Sequence, residues 1–309
     1  MDQSSDLFDG TPEQRVATLV RLLTIERLEE DRFRGAQMPG GKGRIYGGQV
    51  VAQALAAAVA TVERDREPHS LHAYFLRGGD EDYPVDFLVD RDFDGNSYAN
   101  RRVTAAQNGK PILTLAASFQ KRAAGTAHQH AMPNIPDPDE LQDEMNVLPV
   151  RSEARQQRLR MAMVRQRAYE VRVAADLHDG QPKIDRPIFY WFRVLAPLPD
   201  DPMMHRLALA FLSDYGLLSA AAITRGLVLW NTDAKVASLD HAIWFHDRFR
   251  ADEWIAYVCD SPWSGNHRGF NRGSFFTRDG RLVASTAQEG MMRLGGTPSL
   301  ADGSPARQG

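Results

Sequence analysis

The apolar residues of the stretch His205–Ile223 (HRLALAFLSDYGLLSAAAI) predict one helix that is apolar nearly all round. Leu207, Phe211 and Tyr215 follow one another at steps of four, and most positions between them are apolar too. A helix of this kind is buried. Asp214 lies in its middle, where an ionised carboxylate costs several kcal/mol unless charges or hydrogen bonds compensate it. The carboxylate therefore either has a structural partner or is retained for catalysis. The position of Asp214 alone favours the structural interpretation.

The N-terminal part of the chain predicts two more helices with a strand between them. Thr11–Leu23 carries the start signals of a helix, because Thr11 can cap it and a proline follows at once. The segment Ile25–Phe33 predicts a single strand. The glycines Gly47 and Gly48 precede an Ala-rich helix; they lack the spacing of a phosphate-binding loop, so we expect them to let a neighbouring backbone approach the start of that helix.

Two strand-rich blocks further along the chain resemble each other. SLHAYFLRG, which begins at Ser70, matches SLDHAIWFHDRF, which begins at Ser238, and an Asn-Gly turn in the first block is answered by an Asp-Gly turn in the second. The blocks Ser70–Gln120 and Ser238–Gln288 have the same length. A repeat this long indicates a duplicated domain rather than a solenoid. Each half would supply a helix and an antiparallel sheet, which is an α+β arrangement.

The duplication predicts four regions along the chain. These are an N-terminal unit over residues 1–125, a proline-rich linker over 126–150, a C-terminal unit over 151–295 and a flexible tail over 296–309. The C-terminal unit opens with an arginine-rich segment, Val150–Ala168, which we expect to be helical at least in part and to form a solvated charged face.

Composition narrows the classes of partner and compartment. The 309 residues hold 37 Lys and Arg against 40 Asp and Glu, a net charge of −3, which gives no reason to expect nucleic acid as a partner. The single cysteine, Cys259, excludes an internal disulfide framework and fits a reducing cytoplasm. No signal peptide and no uninterrupted run of roughly 18 apolar residues is seen, so we expect no membrane insertion. His128 and His130 lack further ligands at metal-binding spacing, and we expect neither a metal nor a cofactor.

Several motifs together resemble the type II acyl-CoA thioesterases, the TesB-like family. They are the run SLDHAIWFHDRFRADEWIAYVCDSPWSGNHRG and the shorter segments RDGRLVASTAQEGMMR, IYGGQVVAQAL and LAFLSDYG. The resemblance covers most of the chain from about residue 12 to 293, apart from the linker. It implies a double hotdog, in which each of two tandem units wraps an antiparallel sheet around a long helix. It also implies hydrolysis of fatty acyl-CoA to free fatty acid and CoA.

The resemblance assigns a catalytic set of three residues. They are Asp214 in LSDYG, Ser238 in SLDHAIWFH, where some relatives have Thr, and Gln288 in AQEG. Hydrolysis of a thioester needs a positioned water, a group that accepts its proton, and donors for the oxyanion. Asp214 can accept the proton, while Ser238 and Gln288 can orient the water.

Substrate contacts are less well defined by the sequence. The backbone N–H groups of Gly48 and Gln49, near a helix start, are candidate oxyanion donors. Arg268, in NHRGF near a turn, can meet a phosphate of the substrate, although a surface role is the simpler interpretation. A covalent route through Ser238 would need a base such as His241, but three residues along a strand place two side chains on opposite faces.

Two other classes of function stay open at this stage. A non-catalytic acyl-CoA-binding hotdog protein would keep the binding tunnel but lack turnover, which the intact set of Asp, Ser and Gln argues against. A hotdog dehydratase or hydratase acting on acyl thioesters would need an acid-base pair at the helix, and Asp214 has no histidine beside it in sequence. Release of free thiol separates the thioesterase from both. We also expect a homo-oligomer, either a dimer or a tetramer.

Overall fold

The computed structural model describes residues 10–147, 168–184, 186–229 and 234–293. Within these residues the helices are α1 (Pro12–Leu23), α2 (Gly47–Val59), α3 (Glu144–Val147), α4 (Pro202–Leu212) and α5 (Leu217–Ile223), with a 3-10 turn at Pro138–Glu140. The strands are β1 (Ile25–Glu29), β2 (Arg32–Gly35), β3 (Arg66–Phe75), β4 (Val85–Asp94), β5 (Tyr98–Gln107), β6 (Lys110–Lys121), β7 (Gln142–Asp143), β8 (Tyr169–Val173), β9 (Ile188–Val194), β10 (Lys235–Ser238), β11 (Asp240–Phe245), β12 (Ile255–Gly265), β13 (Arg268–Thr277) and β14 (Leu282–Arg293).

All the described strands belong to one antiparallel sheet, which two matching halves build together. Its order is β1-β2-β4-β5-β6-β3-β11-β14-β13-β12-β9-β8-β7, and β10 pairs with β14. The halves meet where β3 pairs with β11, with Tyr74 opposite Asp240 and Ser70 opposite Trp244. This pairing hides what would otherwise be two exposed sheet edges.

The buried helices pack against this sheet. α2 contacts β1 to β6 of the first half, and α5 contacts β12, β13 and β14 of the second. α2 also packs on α4, so the two halves share one core. This is the double-hotdog arrangement that the sequence resemblance implies. The proposed boundaries between units stay predictions because residues 148–167 and 294–309, with most of the arginine-rich segment and the tail, lie outside the described residues.

Two local predictions for the N-terminal part have different outcomes. α1 begins as expected, with Thr11 and Gln14 forming a reciprocal capping box. The single strand predicted over residues 25–33 is wrong, because Glu30 and Asp31 form a turn between β1 and β2. Charged residues at this turn remain in contact with water, whereas a continuous strand would have placed some of them against the core.

The single helix predicted over His205–Ile223 is also wrong. α4 ends at Leu212 and α5 begins at Leu217, and between them Gly216 takes a left-handed backbone conformation with φ 71°. Glycine adopts this conformation without the steric penalty of a side chain. The interruption places Asp214 in a turn rather than within a helix.

The stretch Pro202–Ile223 spans 22 residues with a mean hydropathy of 1.3, long and apolar enough by composition to cross a membrane. Most of it, 78% of the apolar window, is buried inside the protein. Such burial is typical of a core helix, and α4 and α5 have that position here.

The proline-rich segment predicted as a linker packs against the second half. The indole Nε1 of Trp191 donates to the carbonyl oxygen of Pro136 at 3.0 Å, and Arg278 forms an ion pair with Asp137 at 2.6 Å. β7 then adds a short strand to the edge of the sheet beside β8. The described part of this segment is therefore attached to the second half over much of its length.

Candidate active site

Three side chains meet at the carboxylate of Asp214. Gln288 Nε2 donates to Asp214 Oδ1 at 2.8 Å, and Ser238 Oγ donates to the same oxygen at 3.2 Å. Gln288 Nε2 also donates to Ser238 Oγ at 2.6 Å. The sequence separates these residues widely, and the fold brings them within hydrogen-bonding distance of one another.

Each partner reaches this point from a different element. Asp214 lies in the turn between α4 and α5, Ser238 is the last residue of β10, and Gln288 lies on β14, beside which β10 is paired. Gln288 is fully buried, while Asp214 and Ser238 are only partly buried and keep an edge on a cleft. The buried amide therefore holds two groups that substrate can reach.

The turn that carries Asp214 is fixed from behind by two tyrosines. Tyr257 donates its hydroxyl to the carbonyl oxygen of Ser213 at 3.0 Å. Tyr215 donates its hydroxyl to the buried carboxylate of Glu144, which also contacts His178 Nε2 at 3.0 Å. These contacts on either side of Asp214 limit movement of its backbone.

The start of α2 crosses from the first half to the same carboxylate. The backbone N–H of Gly48 donates to Asp214 Oδ2 at 3.1 Å. A Cβ at Gly47 would lie 2.6 Å from Asp214 Oδ2, and one at Gly48 would collide with the carbonyl oxygen of Phe211. The two glycines thus permit the close approach of backbones that the sequence predicted.

Burial raises the pKa of Asp214 to about 6, from its ordinary value of 3.8. The surrounding protein removes the carboxylate from water even though the residue keeps a partly exposed edge. Hydrogen bonds from Gln288, Ser238 and Gly48, and the more distant charge of Arg44, act in the opposite direction. A carboxylate with a pKa near 6 is ionised at neutral pH and is a stronger base than an ordinary aspartate.

A cleft of about 430 Å³ opens onto this carboxylate between the two halves. Its apolar lining comes from both sides, with Ile45 and Phe75 from the first half and Leu218 and Val236 from the second. The volume and the mainly apolar lining are typical of a small-molecule site with a few polar groups at its base.

The chain matches two profiles of known protein families. The profile of the family described as Acyl-CoA thioesterase matches residues 160–291, and that of the Acyl-CoA thioesterase N-terminal domain matches residues 36–120. The chain is 36% identical to acyl-coenzyme A thioesterase 8 of Homo sapiens, with 94% of this chain and 93% of that protein covered. It is 34% identical to acyl-CoA thioesterase 2 of Haemophilus influenzae, with 89% and 97% covered.

The chain belongs to the type II acyl-CoA thioesterase family. The thioesterase also resembles the crystal structure of the acyl-CoA thioesterase II TesB2 of Mycobacterium marinum, with a TM-score of 0.74 and 40% identity over 89% of this chain and 98% of that one. A protein of unknown function with a hot dog fold from Alicyclobacillus acidocaldarius matches with a TM-score of 0.72 and 19% identity, covering 90% and 98%. The predicted fold class, family and acyl-CoA thioester hydrolase activity are confirmed.

Two other residues predicted to contact the substrate, Gln49 and Arg268, have other partners in the structure. The backbone N–H of Gln49 donates to the carbonyl oxygen of Tyr46 at 3.1 Å, and its buried side chain turns towards Ala36. The N–H of Gly48 instead lies at the carboxylate of Asp214, so Gly48 is the better candidate for an oxyanion donor. Arg268 pairs with Glu289 at 3.2 Å and does not line the cleft, so its contact with a phosphate stays a prediction without support from this geometry.

Sequence reasoning missed two arginines at the rim of the cleft. Arg44 and Arg77 are exposed, and both line the cleft on the first-half side. The side chain of Arg44 passes over Gly78, whose missing Cβ leaves room for it. The position of Arg44 within the glycine-rich GKGRIYGG was the available signal, but nothing in the sequence placed Arg77 near it.

The structure separates His241 from a role as base to Ser238. His241 Nε2 contacts Ser213 Oγ at 2.8 Å, whereas Ser238 contacts Asp214 and Gln288. No histidine lines the cleft within the described ranges, so the acid-base pair of a dehydratase is not formed there either. In that same part of the chain no group of three or more potential ligands is placed to hold a metal ion.

Proposed function

We propose that the thioesterase hydrolyses fatty acyl-CoA to free fatty acid and CoA with a water molecule that Asp214, Ser238 and Gln288 hold and activate. The observation that carries this proposal is the convergence of the three side chains on one carboxylate at the base of a cleft. The apolar lining suits an acyl chain, and the position of the carboxylate suits a thioester at the base.

The attacking water would lie between Ser238 and Asp214. The donors of this network are used internally, and the bond from Ser238 to Asp214, at 3.2 Å, is the longest of the three. A water that enters here replaces this bond, donates to Asp214 and accepts from Ser238. Gln288 meanwhile keeps both side chains in place, which is the positioning that a water-mediated attack needs.

In the reaction Asp214 accepts one proton from the water and later gives it to the leaving group. The water oxygen attacks the thioester carbonyl carbon as Asp214 takes a proton, and negative charge appears on the carbonyl oxygen. The N–H of Gly48 lies at Asp214 Oδ2 and would be less strongly held there once Asp214 is neutral, so it could then donate to the oxyanion. Collapse of the intermediate breaks the carbon–sulfur bond, and the CoA thiolate recovers the proton from Asp214.

Arg44 and Arg77 would direct the CoA part of the substrate towards the rim. Among the described residues that line the cleft, Asp214 at the base carries the only carboxylate, and the two guanidinium groups lie at the exposed edge. Phosphates of CoA bind favourably to arginine, while the acyl chain is excluded from water. This orientation would place the thioester near Asp214.

Replacement of Asp214 tests the proposal directly. We expect Asp214→Asn to lower kcat by roughly 10²–10⁴-fold, the contribution of acid-base catalysis, with little change in substrate binding. The assay is release of free thiol from a panel of saturated acyl-CoA esters, which also identifies the preferred chain length. Asp260→Asn, an exposed aspartate that pairs with Arg272, is the matched control and should retain full activity. Undiminished hydrolysis by folded Asp214→Asn would refute the assignment.

We also propose a homo-oligomer, a dimer or a tetramer, that resides in the cytoplasm without membrane insertion. Large apolar side chains on the first-half sheet support association, because Tyr74 is 63% exposed and Phe93 is 53% exposed. Light scattering should therefore give a mass above the 34.5 kDa of one chain at micromolar concentration. Recovery in the membrane fraction after cell lysis would contradict the proposed location.

A further inference from the structure

His241 lies directly behind the catalytic amide. In the pairing of β11 with β14, Ala242 is opposite Ala287 and Ile243 is opposite Thr286, so the same register places His241 opposite Gln288. Residues directly opposite on antiparallel strands have Cβ atoms about 5 Å apart. Both side chains point to the inner face of the sheet, where His241 is 1% exposed and Gln288 is 0% exposed.

The facing atoms of this pair are complementary. Gln288 Nε2 is used by Asp214 and Ser238, so its Oε1 points elsewhere. Gln288 Oε1 and His241 Nδ1 are both buried, and neither has a partner within strict hydrogen-bond limits. A favourable interaction with Gln288 nevertheless raises the pKa of His241, although burial lowers that pKa to about 4 overall. The strand register makes the two atoms neighbours, and a hydrogen bond between them would satisfy two buried groups that are otherwise unpaired.

Gln288 on one side of the ring and Ser213 on the other together decide which nitrogen carries the proton. The Ser213 hydroxyl has one proton, and its two possible acceptors are the carbonyl oxygen of Ala210 at 2.9 Å and His241 Nε2 at 2.8 Å. If Nε2 carried the only proton, Nδ1 would be an acceptor facing the acceptor Oε1 of Gln288, which is repulsive. Neutral His241 avoids this repulsion when it carries its proton on Nδ1 and accepts through Nε2 from Ser213, whose hydroxyl proton then turns from the carbonyl oxygen of Ala210 to the ring.

We infer that His241 is a positioning residue that fixes the orientation of the Gln288 amide by donating from Nδ1 to Gln288 Oε1. The direction of each hydrogen bond then follows in one series: Ser213 donates to His241, His241 donates to Gln288, and Gln288 donates to Asp214 and Ser238. A reversed amide would place a carbonyl oxygen against the carboxylate of Asp214. His241 prevents this reversal without contacting the substrate, since it does not line the cleft.

Two amide substitutions at His241 separate the two contacts of the ring. His241→Asn places an N–H near the former position of Nδ1 and can still donate to Gln288, whereas His241→Gln places its amide near the former position of Nε2 and reaches only Ser213. We expect His241→Gln to lower kcat roughly 10- to 100-fold, the range seen when outer partners that orient metal ligands are removed. His241→Asn should retain most of the activity, and KM should change little in either.

The pH dependence of activity distinguishes a misoriented Gln288 amide from a general loss of packing, which would not move the acidic limb of the profile. Donation from Gln288 lowers the pKa of Asp214, so a misoriented amide should move the acidic limb of the pH profile to higher pH in His241→Gln. His241→Asn should keep the limb of the unmodified protein. His246→Phe, an exposed histidine near the end of the same strand, is the control and should leave both kcat and the limb unchanged. Equal losses in the Asn and Gln variants, or full activity in His241→Gln, would overturn the inference.

The unmodified protein offers a test that does not depend on how the variants fold. Nitrogen NMR of the histidine-labelled thioesterase should show the His241 ring neutral from pH 5 to 8 with its proton on Nδ1, and a proton on Nε2 would overturn the inference. Because the inference rests on the proposed role of Gln288, Gln288→Ala is measured beside it. An active Gln288→Ala would refute that role itself, whereas an inactive Gln288→Ala with a fully active His241→Gln would refute only the part assigned to His241.

Discussion

The backbone N–H of Gly48, in the first half, donates to Oδ2 of Asp214, in the second half, at 3.1 Å. The carboxylate is therefore held by a helix start of one unit and by the side chains of Ser238 and Gln288 from the other. Neither half contains a complete site. This explains why the pairing of β3 with β11, which fixes the halves together, matters for chemistry as well as for stability.

The pH profile of the reaction should show Asp214 as the base. Its pKa of about 6 means that the carboxylate is protonated and unable to accept a proton below this pH. We expect kcat/KM to rise with pH through an apparent pKa near 6 and then to level off. The residual activity of Asp214→Asn should lack this limb. A limb near pH 4, the ordinary range of an aspartate, would show that the carboxylate is not desolvated in solution.

Ionisation of Asp214 should lower the folding stability, although activity requires the ionised carboxylate. Because the pKa is raised from 3.8 to about 6, the contribution of this group to stability is present below about pH 4 and is lost as pH rises through about 6. The ionised group then costs at most about 3 kcal/mol relative to its neutral form. Asp214→Asn should therefore be at least as stable as the unmodified protein in urea unfolding at pH 8, with a smaller advantage at pH 4. A variant clearly less stable at pH 8 would favour the alternative in which Asp214 is kept for structure.

Combined substitutions should show that the three side chains act on one water. Ser238→Ala and Gln288→Ala should each lower kcat by less than Asp214→Asn does, because each removes a positioning bond and leaves the base. Either one combined with Asp214→Asn should lower kcat far less than the product of the single effects. Multiplicative losses in the double variants, measured by thiol release under saturating substrate, would mean that the residues act in separate steps.

The three residues predicted as catalytic lie together in the structure, whereas the sequence predicted little of how they are supported. Asp214 stood out because a charge interrupts an apolar pattern, and motif resemblance supplied Ser238 and Gln288. The opposition of His241 and Gln288 depends on the register between β11 and β14, which alternation of apolar residues does not define for distant strands. Sequence spacing alone therefore could not connect His241 with the amide.

Two other features depend on tertiary contacts that local patterns do not contain. The apolar pattern continues through the turn between α4 and α5, and only Gly216 hinted at the interruption that exposes Asp214 to the cleft. Glu144 comes from a segment with no periodicity, yet its carboxylate is buried against Tyr215. A buried acid in a proline-rich segment is not distinguishable by sequence from a solvated one, since its partners are distant in the chain.

Replacing Arg44 and Arg77 tests where the CoA part of the substrate binds. If their guanidinium groups contact its phosphates, the double variant Arg44→Gln/Arg77→Gln should raise KM for acyl-CoA about tenfold or more, because hydrogen bonds to charged groups contribute about 1.5–3 kcal/mol. The same acyl group carried on N-acetylcysteamine has no phosphate, and its hydrolysis should not change. Arg268→Gln, at an arginine outside the cleft, is the matched control and should leave both substrates unaffected. Equal loss with both substrates would assign the two arginines to the shape of the cleft, and a loss for acyl-CoA in Arg268→Gln alone would restore the phosphate contact first expected there.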